Sequence, residues 1–101
     1  MVRTSLRGES AVIQVELVLF GQLALKFGKE LTLEIDENTA LANFTSSFFE
    51  AHGLGEALFR GSSVESRQGF LKVLLNGREM NPDTLIKSGD KISFVPIVAG
   101  G

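Results

Sequence analysis

The stretch SGDKISFVPIVAGG, Ser88 to Gly101, decides the fold. Ser88, Gly89 and Asp90 form a turn signal, and beyond it Ile92 and Phe94 alternate with Lys91 and Ser93, the period of a half-buried strand. The strand is expected from Lys91 to Val98, through Pro96, and passes directly into Ala99-Gly100-Gly101. Two readings of the final glycines stand side by side. Terminal residues commonly fray, and glycine tolerates any conformation. Alternatively, two residues without a Cβ make a thin extended thread that can enter a channel in another protein and present a carboxylate there. Pro96, with its fixed φ, stiffens the exit of such a thread.

Upstream of this strand, Asn81-Pro82-Asp83 opens a turn, and Leu85 and Ile86 are expected to tuck under the sheet. Phe70 to Leu75 reads as a strand that ends in Asn76-Gly77, the dipeptide best suited to the positive backbone angles of a tight hairpin, with Arg78 to Met80 as its short partner. Arg60 to Gly69 (RGSSVESRQG) reads as a polar, flexible loop, preceded by a short turn over Leu54 to Phe59. Thr39 is placed to cap a helix running to His52, whose Leu41, Phe44 and Phe48 recur at helical spacing, and Gly53 supplies its stop. Near the start, Val12 to Phe20 and Leu31 to Ile35 alternate as two strands expected to pair antiparallel, with a short helical turn over Gly21 to Gly28 between them. One main helix covers one face of a sheet, so the fold class is α+β.

If Ile13, Val15, Leu17, Ile92 and Phe94 face the helix, Val18, Phe20, Val95 and Ile97 turn to the opposite face, joined by Leu74. No second long helix is available to cover that face. Scattered exposed apolar residues are ordinary, whereas a contiguous patch beside the exiting chain would dock a partner.

Composition narrows the chemistry. The chain has 101 residues, 44% hydrophobic and 22% charged, the profile of one globular domain. Its organisation reads as a flexible leader over residues 1–10 and a single domain over 11–101. A net charge of -2 offers no footprint for nucleic acid or anionic lipid. Cysteine is absent and His52 is the only histidine, which removes thiolate catalysis, disulfides and nearly every thiolate or imidazole metal site. His52 is read as a cap on the helix C-terminus rather than a triad base. Gly53-Leu54-Gly55 begins like a dinucleotide fingerprint, but Leu58 stands where the third glycine should be, and there is no GxxxxGK[ST] loop. Asp36 and Glu37 read as carboxylates favouring a helix N-terminus rather than as cation ligands. The leader, Met1 to Ser10, has no apolar run of a secretory signal, and no later stretch approaches a membrane span, so a cytoplasmic location is expected.

The chain resembles the small sulfur-carrier subunits of molybdopterin synthase, within the ThiS and MoaD group of ubiquitin-like β-grasp proteins. The likeness runs from about Ile13 to Gly101. VLFGQLALKFG, Val18 to Gly28, is similar to the group's first strand and following helix, Asn76-Gly77 to its hairpin turn, and SGDKISFVPIVAGG to its closing strand and tail. Ile97 stands where the group often carries a second proline. The resemblance implies a ubiquitin-like β-grasp, a mixed sheet of about five strands with one main helix on one face. It implies that Gly101, following Gly100, is the reacting residue, its carboxylate first adenylated and then converted to a thiocarboxylate that donates sulfur to a pterin precursor of the molybdenum or tungsten cofactor. The chain would bind no cofactor itself; ATP and Mg would be used by a ubiquitin-activating-like adenylyltransferase. Further partners would be a sulfur donor enzyme and the large synthase subunit, met through Phe20, Leu74, Val95, Ile97, Val98 and Ala99. Other destinations for the same activated glycine are a lysine amine, as in ubiquitin-like conjugation, and thiamine thiazole synthesis. A plain interaction module with an incidental Gly-Gly is a further reading.

Overall fold

The computed structural model describes residues 11–97; the expected leader and the expected site residues Val98, Ala99, Gly100 and Gly101 lie outside the described residues. In chain order the elements are β1 (Val12–Leu19), α1 (Gly21–Phe27), β2 (Glu30–Asp36), α2 (Leu41–Ala51), β3 (Ala57–Arg60), β4 (Ser63–Ser66), β5 (Gly69–Leu75), β6 (Arg78–Glu79) and β7 (Lys91–Pro96). They build one mixed sheet in the order β2-β1-β7-β5-β4-β3, with β6 paired to β5. The expected β1–β2 hairpin forms antiparallel, Val15 opposite Leu33. β7 inserts parallel to β1, Leu17 opposite Ile92, and antiparallel to β5, Val73 opposite Phe94. β7, the last strand among the described residues, is therefore central, and its exit at Ile97 lies in the middle of the sheet.

Alternation puts Val15, Leu17 and Leu19 of β1, Leu71, Val73 and Leu75 of β5, and Ile92 and Phe94 of β7 on the covered face, all buried. α2 lies on that face with Leu41, Phe44 and Phe48 as expected, and adds Thr45 and Phe49. The rings of Phe44, Phe48 and Phe49 stand 6.3, 5.8 and 5.8 Å from the Phe94 ring, an aromatic cluster with Phe94 at its centre. The Thr45 hydroxyl is satisfied within the helix by the Leu41 carbonyl at 2.9 Å.

The two ends of α2 are built differently. At its C-terminus Gly53 sits at φ +66; its N–H donates to the Glu50 carbonyl and the Leu54 N–H to that of Phe49, a Schellman closure with Leu54 buried. His52 donates Nδ1–H to the Phe48 carbonyl at 2.9 Å, the capping role expected of it. The N-terminus departs from expectation. The capping residue is Ala40, without a side-chain bond, and the Thr39 hydroxyl donates instead to the Asp36 carbonyl. The helix's free amides are taken by the chain after β6: Leu41 N–H donates to the Thr84 carbonyl and Ala42 N–H to that of Pro82. Distant backbone does what the threonine was expected to do. In the same segment Ile86 is buried as read, but Leu85 faces solvent.

A second departure lies in residues 54–69. The expected turn and flexible loop are strands β3 and β4, each antiparallel to its neighbour, which raises the count from about five strands to seven. Val64 anchors them, fully buried, with Ala57 and Phe59 half-buried on the same face. Each strand is four residues long, too short for its alternation to stand out, and two serines and a glutamate occupy the partly exposed positions of β4. At the other hairpin Asn76 and Gly77 take φ +53 and +82, the two positive angles expected of that turn.

Candidate functional site at the strand exit

The site is where β7 leaves the sheet. Its last parallel partner on β1 is Leu19, opposite Phe94, after which Phe20 turns away as the residue preceding α1. Gly21 permits that turn at φ +60. On the other side β5 continues: Leu71 pairs with Pro96, and Ile97 N–H donates to the Phe70 carbonyl at 2.9 Å. Amides along a strand alternate between neighbours, so Pro96 turns its missing donor toward the side β1 has vacated. Proline here removes no ladder bond and holds the exit direction.

Register then sets the face opposite α2. Ile97, Phe70, Glu65 and Leu58 form one row across four strands, Val95 and Lys72 fall in the next, and Val18, Ser93 and Leu74 in a third. Leu58, Phe70, Phe20 and Ile97 are 51, 50, 43 and 40% exposed, and Val18, Leu74 and Val95 are half-buried. Of the expected partner-binding residues, Phe20, Leu74, Val95 and Ile97 thus share this face. Phe70 and Leu58 extend it and were missed. Phe70 was recoverable, since Phe70, Lys72 and Leu74 alternate against Leu71, Val73 and Leu75; Leu58 was hidden in the segment taken for a turn.

Charges inside this face are paired. Lys72 Nζ lies 2.9 Å from Glu79 Oε2, Ser62 donates to Glu79 Oε1 at 2.8 Å, and Arg60 Nε donates to Glu65 at 2.8 Å. The Lys72 hydrogen bond first, then that of Ser62 and the lysine's charge, hold the Glu79 carboxyl below the ordinary 4.5. A lowered folded value stabilises the fold above the unfolded value, and that contribution disappears as pH falls through the folded one. We expect a carboxyl-detected NMR titration to place the Glu79 midpoint below that of a free glutamate and Lys72→Met to move it upward. Equal midpoints in both proteins would exclude the pair in solution.

The ThiS family pattern matches residues 17–101, a span that takes in the central strand, the apolar face beside its exit and Ala99-Gly100-Gly101. The chain belongs to the ThiS family. It is a member of the ubiquitin-like sulfur carriers and modifiers, and the match starts four residues after the expected Ile13. No curated protein matches it. The fold of this ThiS-family chain is similar to that of the Pyrococcus furiosus protein described as molybdopterin converting factor subunit 1, at 21% identity over 85% of this chain and 99% of that one, TM-score 0.68. It is similar to the Haloferax volcanii HVO 2177 protein at 27% identity over 89 and 88%, TM-score 0.69. It is similar also to SAMP1 of Haloferax volcanii at 20% identity over 87 and 99%, TM-score 0.62. Among the described residues of the ThiS-family chain, no helix is long and apolar enough to cross a membrane.

Proposed function

We propose that the chain is a sulfur carrier for molybdopterin synthesis, with the carboxylate of Gly101 as the atom group that is loaded. The observation that carries this reading is the position of β7: a central strand whose exit, at Ile97, is framed by exposed Phe20 and Phe70 and followed by Val98-Ala99-Gly100-Gly101. Fully extended, four residues reach at most about 14 Å. That is enough to carry a carboxylate into a channel while the apolar face stays on the partner's surface.

The chemistry follows from what the chain lacks. Without cysteine it cannot hold sulfur as a side-chain persulfide. A carboxylate oxygen of Gly101 attacks the α-phosphorus of ATP on the adenylyltransferase, with Mg there, and pyrophosphate leaves. Hydrosulfide released by the donor enzyme then attacks the acyl carbon, AMP leaves, and loss of the S–H proton gives the thiocarboxylate. The loaded tail enters the large synthase subunit, its thiocarboxylate sulfur attacks an electrophilic carbon of the pterin precursor, and water cleaves the resulting thioester, leaving sulfur on the pterin and regenerating the Gly101 carboxylate. The test is intact mass of the chain isolated from cells that make the cofactor: replacement of one oxygen by one sulfur at Gly101 is expected, and its absence under those conditions would overturn the reading. A lysine amine is the competing acceptor, favoured by the fold shared with SAMP1; isopeptide-linked Gly101 in place of thiocarboxylate would select it.

The apolar face supplies a further prediction. Phe20→Asp or Val95→Asp is expected to weaken binding to the large subunit or the adenylyltransferase, measured by titration calorimetry, while the melting temperature of the Phe20 variant stays nearly unchanged. Wild-type affinity of both variants for both enzymes would exclude the face as a docking surface.

A further inference from the structure

Beside the exit lies an open hollow of about 320 Å3 with two kinds of wall. Phe20, Leu23, Leu71 and Pro96 are its apolar lining, and Gln22, Arg67 and Gln68, whose side chains carry hydrogen-bond donors, line the rest. Arg67 is the one charged residue lining it, on a chain whose net charge is -2. Its stem is held in place. A Cβ at Gly55 would stand 3.2 Å from Arg67 Nε and 3.6 Å from its Cγ and Cδ, so the side chain lies flat against a glycine backbone that sits at φ +88. Among the described residues the guanidinium forms no ion pair.

We propose that this hollow is a docking site for a carboxylate side chain of the protein that receives the tail, with Arg67 as the specificity-determining contact. The proposal rests on the sulfur-carrier reading above. A planar guanidinium fork matches a carboxylate in two-point geometry, and the flanking amides can complete its remaining lone pairs. Once a partner covers the open hollow, its apolar wall keeps water out and strengthens the pair. Reach chooses between a protein carboxylate and a nucleotide phosphate. Four residues separate the reacting carboxyl from Ile97 and can span up to about 14 Å, whereas the hollow adjoins Pro96, so a protein that takes the carboxyl at that reach meets the hollow with its surface and not with its bound nucleotide.

The experiment measures pyrophosphate exchange catalysed by the adenylyltransferase and calorimetric affinity for the large synthase subunit, using the full chain and its Arg67→Glu, Arg67→Lys and Arg67→Ala variants. For at least one of these proteins, Arg67→Glu is expected to raise the KM for the carrier, or its Kd, by roughly 10- to 100-fold with kcat and melting temperature unchanged. Arg67→Lys should fall between, since it keeps the charge and loses the fork. Wild-type values of Arg67→Glu with both proteins would overturn the inference and leave the carrier reading intact. Arg67→Ala reacting or binding better than wild type would mean that the guanidinium holds the chain's own terminal carboxylate, which also overturns it. A wild-type chain that neither binds nor is adenylated would overturn the carrier reading itself.

Discussion

Removing Gly101, or extending it by one alanine, is expected to abolish ATP–pyrophosphate exchange by the adenylyltransferase, and Gly100→Val to do the same. Adenylation needs the carboxylate oxygen in line with the α-phosphorus, and effective molarities for well-oriented groups reach about 10⁵ to 10⁸ M, so a displacement by one residue forfeits most of the acceleration. Truncation leaves the carboxylate one residue short of that position; extension overshoots it and adds a methyl group beside the reacting carboxylate. A branched side chain at residue 100 both narrows the accessible backbone angles and widens the thread. Because β7 is locked between β1 and β5, the sheet cannot slide to compensate. Equal exchange by chains ending at Gly101, ending at Gly100 and carrying the extra alanine would refute a terminal reaction.

Phe94→Ala is expected to destabilise the fold by about 3 to 5 kcal/mol, the range for a buried phenylalanine. Its ring is fully buried and touches three helix phenylalanines, so truncation leaves a cavity at the only place where the central strand and α2 meet through aromatic faces. For a domain of this size the melting temperature should fall by roughly 12 °C or more. Phe44→Ala, also buried and packed against both Phe48 and Phe94, belongs in the same range. Phe70→Ala is the control: half-exposed on the opposite face, it should cost under about 1 kcal/mol. Chemical denaturation of the three variants tests the packing, and equal losses for Phe94 and Phe70 would contradict it.

The two glycine-dependent features legible in the residue order are local ones. Asn76-Gly77 demands its hairpin, and Gly53 its helix stop, because each requires positive φ at one or two residues whatever surrounds them. The alternation of β1, β2, β5 and β7 and the Leu41-Phe44-Phe48 stripe were likewise readable, being periodic over enough residues to exceed chance. Four of the partner-face residues followed from the same period. Outside local reach were the four-residue strands β3 and β4, where one buried valine carries the alternation, and with them Leu58 as part of the apolar face. So was the start of α2, whose amides are satisfied by Pro82 and Thr84, some forty residues downstream. The central place of β7, which puts its exit at Ile97 in the middle of a sheet, depends on pairing with β1 and β5 at once. Those bonds join segments far apart in the chain, and their free energy is set by closing the whole sheet over the aromatic cluster, a quantity no short window of residues contains.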